Sequence, residues 1–145
     1  MGVFDGFNIS ASGMTAQRVR LDTISENIAN VNTTRTENGG PYRRKVVVFK
    51  ESENSKPFSE FLSEAGVTKN IGVVVDRIVE EQSAFKKIYD PGNPDADDLG
   101  YIQMPNVEVV SEMVDMIDAT RAYEANVTAM NSYKSMLLKT LEIGK

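Results

Sequence analysis

The 145-residue chain contains no cysteine and no histidine. Those two absences together remove thiol nucleophiles, disulfides, Ser-His-Asp triads and the usual zinc ligands. A lack of cysteine is compatible with any redox compartment. Long apolar runs are also missing, and nothing approaches the roughly 20 consecutive apolar residues of a membrane span, so no direct membrane span is expected. Positive charge is scarce, with 16 Lys and Arg against 21 Asp and Glu and a net charge of -5. Neutralising nucleic-acid phosphates takes a basic face, which sets nucleic acid aside as the main partner. The one basic cluster, Arg43-Arg44-Lys45, reads as the solvated start of a strand. The N-terminus, MGVFDGFNIS, has neither a basic segment nor a continuous apolar one, so no conventional cleavable signal is expected. It also lacks the Ser or Thr at position 6 that a myristoylation site wants.

What is present is ordinary for a globular chain, 41% hydrophobic and 26% charged, of a length that suits one domain or a small domain with appendages. Periodicity marks the two ends. In residues 7–31, Phe7, Met14, Leu21 and Ile28 recur at a spacing of seven. The positions three further on are Ser10, Gln17, Ile24 and Val31. This is a heptad-like helical stripe, with Ala11 and Ala16 small enough to admit another helix. The plainer alternative is a core-facing amphipathic helix of a compact domain.

At the other end, Met104-Pro105-Asn106 closes an extended segment, because the residue before proline avoids the helical region. Asn106 is positioned to cap a second helix, and Glu108 falls in its expected first turn. From there Val109, Met113, Met116, Thr120, Tyr123, Val127, Met130, Lys134, Leu137 and Leu141 alternate at spacings of four and three. A helix from Val107 to Ile143 would run about 55 Å at roughly 1.5 Å per residue. A compact globule of this chain length has a diameter on the order of 40 Å. The long helix should therefore protrude, and pairing it with the N-terminal helix would still leave Val110, Val114, Ile117 and Leu138 without cover. Such surface predicts association with other subunits. A methionine-rich face is most simply core, yet methionine also suits surfaces that meet unlike neighbours.

Between the helices, Tyr42–Phe49 and Ile71–Val79 are rich in β-branched residues and predict strands, with a third around Phe85–Tyr89. Residues 51–70 form a polar connector, with a short amphipathic turn proposed at Phe58, Phe61 and Leu62. The sequence thus predicts an α+β fold: N- and C-terminal helices pairing as an extended coiled-coil-like domain, with a small β-rich middle unit. The expected divisions are 1–36, 37–103 and 104–145.

No catalytic, metal or cofactor residue is expected. Asp95, Asp97 and Asp98 invite a calcium-loop reading, but neither register supplies both the central glycine and the ligand set. The same carboxylates lie in Pro- and Gly-rich turn chemistry with no evident burial to tune an acid-base pair. A pocket enclosing two of them would reopen an enzymatic reading. The sequons at Asn8, Asn32 and Asn126 read as chance matches, and Gly39-Gly40-Pro41 as a turn.

The stretch SASGMTAQRVRLDTISENIANVNTT, residues 10–34, resembles the N-terminal signature of the bacterial flagellar rod and hook family. Asn27, Ile28, Ala29, Asn30, Val31, Asn32 and Thr33 carry it. The segment from Pro105 to Lys145 looks like the family's terminal helix. Five residues, 34–38, intervene where the family often continues with Gly, an aromatic and Lys, and GGPYRRK and YDPGNPDADDLGYIQMPNV point toward the proximal-rod subgroup. The resemblance implies a structural, non-enzymatic subunit of the flagellar basal-body rod. Its termini would share a coiled-coil domain in a helical, torque-transmitting tube. It also implies export through the flagellar type III apparatus without a cleaved signal, a periplasmic location, and other rod proteins and copies of itself as partners. A soluble coiled-coil adaptor or secretion-associated binding protein is the alternative.

The expected subunit-interface residues are Phe7, Met14, Leu21, Ile24, Ile28, Val31, Val109, Met113, Met116, Tyr123, Val127, Met130, Leu137 and Leu141. Asn27 and Asn30 are expected to bond backbone groups as the first helix frays, and Asn32, Thr33 and Thr34 to favour turn or extended geometry. In a lone subunit both terminal stripes should exchange amide hydrogens faster than the β unit.

Overall fold

The computed structural model describes residues 4–37, 39–52 and 72–143. Helix α1 spans Asp5–Ala29. Strands come next as β1 (Lys45–Glu51), β2 (Val73–Glu80), β3 (Lys86–Tyr89) and β4 (Tyr101–Met104), and helix α2 closes the chain at Val109–Ile143. The fold is α+β, with the two helices packed together and two antiparallel hairpins, β1-β2 and β3-β4, between them in sequence. The expected turn at Phe58, Phe61 and Leu62 lies outside the described residues.

The ends of α1 and α2 are set by local chemistry. Asn30 stops α1: its backbone N–H and its side-chain Nδ2 both donate to the Glu26 carbonyl, at 3.1 and 2.9 Å. The chain then turns, with the Thr33 N–H on the Asn30 carbonyl. Helix α2 begins two residues later than expected. Asn106 does not cap it, because its Oδ1 accepts the Arg44 N–H (2.8 Å) and its Nδ2 donates to the Glu81 carbonyl and to Ser83 Oγ. Glu112, and not Glu108, is the acidic residue of the first helical turn.

Strands β1 and β2 pair from Lys45↔Glu80 to Glu51↔Val73, with a bulge between Val48 and Phe49. Two side chains of α1 grip this hairpin at opposite ends. Asn27 bonds the Lys45 backbone, and Ser12 Oγ accepts the Val73 N–H at 3.1 Å. The fifteen residues separating them span about 22 Å of helix. Seven residues of extended strand cover about 20 Å. The hairpin therefore lies lengthwise on α1, which is why β1 is half-buried through its first five residues.

Hairpin β3-β4 pairs Lys86↔Met104 through Tyr89↔Tyr101, and the last pair of rings meet edge-on at 5.3 Å. The sequence marks β4 only as extended. Its pairing is hidden because nine of the eleven intervening residues are Asp, Asn, Gly or Pro, and nothing in them specifies a register.

Candidate assembly surface

Helices α1 and α2 run antiparallel and meet along a seam of small residues. A Cβ at Gly6 would collide with the Tyr133 ring, and one at Gly13 would lie 2.7 Å from Asn126 Oδ1. Ala16 and Ala119 are buried at 3% and 0% exposure. At the other end Asn27 meets Glu112. Positions 6, 13 and 27 thus face 133, 126 and 112, so the contact repeats every seven residues on both helices. A heptad seam is present, but it runs one residue before the Phe7-Met14-Leu21-Ile28 stripe. Glycine there lets the backbones approach too closely for a larger side chain.

The seam ends in a buried polar knot. Asn27 is 1% exposed, and all four of its side-chain hydrogen-bonding positions are filled. Its Oδ1 accepts the Lys45 N–H and the Tyr42 hydroxyl, each at 2.9 Å. Its Nδ2 donates to the Lys45 carbonyl (2.9 Å) and to Glu112 Oε2 (3.0 Å). Asn27 therefore supplies the start of β1 with the two bonds that a neighbouring strand would otherwise make. Fraying of α1, expected for this residue, is not its role.

Glu112 is fully buried, and its other oxygen accepts from Arg44 Nε. Arg44 reaches Glu81 with Nη1 (3.0 Å) and Asp115 with Nη2 (2.9 Å), and Asp115 also accepts from Arg20 at 3.0 Å. A carboxylate without water must be paired in this way, since an isolated buried charge is prohibitively costly. Burial works against the charge of Arg44, but its hydrogen bonds to Glu112 and Glu81 outweigh burial and raise its pKa. Burial, joined by the negative charges of Glu26, Glu112 and Glu80, pushes the Tyr42 phenol up to about 12. Tyr42 thus remains a donor to Asn27 across the physiological range.

The expected interface residues scatter around this seam. Ile24 is buried at 4% exposure. Phe7, Met14, Leu21, Ile28, Val31, Met116, Val127, Met130 and Leu137 are half-buried. Val109, Met113, Tyr123 and Leu141 are open to solvent, Leu141 at 72%. Among the signature residues, Asn27 is buried, Ala29 and Asn32 are exposed, and Ile28, Asn30, Val31 and Thr33 lie between. Val110, Val114, Ile117 and Leu138, expected to lack cover, are 69%, 54%, 52% and 53% exposed. With Met113 the first three form an uninterrupted apolar ridge on the opening turns of α2. Sequence reasoning missed Glu112, Arg44, Gly6 and Gly13. The glycines left a signal, a spacing of seven matched by Asn126 and Tyr133. The ion pair left none.

A groove of about 410 Å³ borders Asp95 and Asp97, but both carboxylates are exposed and already engaged. Asp95 accepts from Thr34 Oγ1 (2.8 Å), while Asp97 Oδ1 accepts the N–H groups of Leu99 and Tyr101 and folds the loop. A second open groove, about 810 Å³, lies between the end of α1 and β2, where Lys45 pairs with Glu26 and Arg43 stacks on Phe85. Among the described residues no cluster of acidic side chains is arranged to hold a metal ion, and no described helix is long and apolar enough to cross a membrane.

Residues 7–35 match the family model of flagella basal body rod proteins, and residues 99–143 match that of the C-terminal region of flagellar basal body rod FlgEFG proteins. The chain is 51% identical to the flagellar basal-body rod protein FlgC of Bacillus subtilis strain 168 over the whole of both chains. It is 47% identical to FlgC of Borreliella burgdorferi, covering 99% of this chain and 98% of the other. FlgC of Escherichia coli O6:H1 is 43% identical over the full length of both. The chain belongs to the flagellar basal-body rod protein family. It is a structural rod subunit of the FlgC type, and no observation favours the adaptor alternative. The two family segments coincide with α1 and its exit, and with β4 and α2; they hold the helices of the seam and two members of the knot, Asn27 and Glu112, while Tyr42 and Arg44 lie between them.

Proposed function

We propose that this rod protein enters the basal-body rod through its terminal segments, 1–36 and 104–145, with 37–103 as a middle unit carried outside the packed helices. The shaft is a repeated set of helix-helix contacts that transmits torque, each burying apolar area worth roughly 25 cal/mol per Å². Neighbouring rod proteins and further copies of this chain supply the partner surfaces. The subunit reaches the periplasmic rod through the flagellar export apparatus with no cleaved signal, and its role is mechanical rather than enzymatic.

The observation that carries this reading is the exposed ridge Val110, Met113, Val114 and Ile117. Its spacing of three and four places it on one side of α2, and α1 covers none of it. Soluble monomers seldom leave such a contiguous helical ridge in water. The half-exposed residues of the heptad-like stripes, Phe7, Met14, Met116 and Val127 among them, extend the contact surface along both helices. Changing Val110, Val114 and Ile117 together to serine tests it. The isolated subunit should keep its helix content and thermal midpoint, while rods containing it should be absent from purified basal bodies and the cells should not swim. Normal rods and normal motility would overturn the reading.

A further inference from the structure

A helix pair whose contacts repeat every seven residues has a competitor close at hand, the same pair displaced by one heptad. Here the seam offers that competitor a second glycine. Moving α2 by seven residues along α1 brings Tyr133 from Gly6 to Gly13, which likewise has no Cβ, and brings Ala119 opposite Asn27. The small-residue seam alone therefore does not select the observed register. A chain that meets many copies of its own helices during assembly faces the same ambiguity between molecules.

We propose that the knot of Asn27, Arg44 and Glu112 is the register lock of the helix pair. Glu112 is the one carboxylate of α2 that is fully buried. It sits where both of its oxygens find fixed donors: Asn27 Nδ2 on α1 and Arg44 Nε on the chain entering β1. Neither donor is free to track a sliding helix. Asn27 is clamped by the Lys45 backbone and by Tyr42, and Arg44 by Glu81. Asn106, just ahead of α2, bonds the Arg44 N–H and the Glu81 carbonyl, so the helix start is tied to the same hairpin. One heptad of displacement takes the Nδ2 acceptor from Asn27, the Nε and Nη2 acceptors from Arg44 and both donors from Glu112 at once. Hydrophobic contact is indifferent to such a slip, whereas an interior charge is not, and a single buried polar group is known to fix register in helix pairs.

The chain has no cysteine, so spin labels can be attached at introduced cysteines without background. Labels at the exposed positions Ser25 and Thr128 report the position of α2 along α1 by pulsed electron paramagnetic resonance on the full-length subunit. A slip of one heptad moves α2 by about 10 Å. The first variant, Arg44→Met with Glu112→Leu, replaces the pair by apolar side chains. It should retain helix content and gain a second distance population displaced by that amount. The second, Glu112→Ala with Ala119→Glu, moves the carboxylate by one heptad, and the principal distance should move with it. Tyr42→Phe leaves every bond to α2 intact and should keep the native distance. A single native distance in both test variants would overturn the proposal, because packing would then set the register. Loss of helix content in both would also overturn it, since the knot would be supplying stability and not selection. The measurement uses the free subunit, so either failure leaves the rod assignment standing.

Discussion

The two ends of the helix pair are held together by opposite physics. Near residues 20–27 and 112–119 the contact is a paired set of charges and amides, with Asn27 and Glu112 buried at its centre and the first hairpin beside it. Near residues 6–13 and 126–133 it is shape alone: two glycines, a tyrosine ring and an asparagine. Beyond Tyr133, α2 continues for ten residues to Ile143, about 15 Å, past the point where Gly6 meets it. Leu138 and Leu141 there are 53% and 72% exposed. The lesson is that the polar end can fix geometry by itself, whereas the slender end depends on what lies next to it. In a shaft subunit that division is useful, because neighbours can settle the far end without disturbing the near one.

The sharpest way to break the comparison is to remove one partner from the knot. Glu112→Ala should destabilise the subunit by about 3 kcal/mol, because it leaves Arg44 Nε and an Asn27 donor without acceptors away from full hydration. Chemical denaturation should show the loss as a lower midpoint with little change in slope. Asn27→Ala comes next, at about 2 kcal/mol. It deletes both bonds to the Lys45 backbone and the acceptor of Tyr42, so β1 should lose amide protection together with α1. At the slender end, Gly13→Ala sets a helix-propensity gain of about 1 kcal/mol against displacement of the Asn126 side chain, and the net change should stay within about 1 kcal/mol. If Gly13→Ala proved as damaging as Glu112→Ala, the two ends would not differ as described.

Much of this was legible in the residues. The two terminal helices, both strands of the first hairpin, the uncovered ridge at Val110, Val114 and Ile117, and the family itself are readable from periodicity, β-branched runs and the signature around Asn27. The seam lies one position from the large apolar stripe because antiparallel helices in close contact select small residues. The knot was illegible for a different reason. Arg44 looks like one of three basic residues in a solvated strand start, and Glu112 looks like one of many acidic residues on a helix. Only the tertiary fold brings them together across 68 positions in the chain. Asn27 was marked out as part of a recognisable run, but its partners, a strand backbone and a helix carboxylate, lie in segments whose approach no local pattern specifies.

Alkaline titration should act on the knot through Tyr42. Its phenol has an unfolded value near 10 and a folded value of about 12. A raised folded pKa means that the native state holds the proton more tightly. Its stabilising contribution is therefore complete below pH 10 and is lost as pH climbs through 12. Arg44 is also raised and keeps its charge through this window, so it adds no step of its own. Stability measured from pH 9 to 12 should decline in the native chain, and Tyr42→Phe should remove the part of that decline that belongs to this residue.

The smallest effect, and the finest test of the comparison, is in the exchange behaviour of the free subunit. The sequence alone suggests that both terminal helices exchange quickly while the β unit is protected. The structure divides each helix instead. Amides at 20–29 and 109–119 lie against the knot and the docked hairpin, and opening them requires breaking buried ion pairs, so they should exchange with the slow class of β1 and β2. Amides of 5–11 and 130–143 lie beside the glycine seam or on an overhang that runs past the start of α1, far from the knot, and they should exchange by local fraying, many times faster. Protection that stayed uniform from 109 to 143 in a verified monomer would mean that the slender end is as firmly held as the knotted one. A far end that became protected only when rod neighbours were added would place the missing contacts on the exposed leucines and on the ridge that α1 leaves bare.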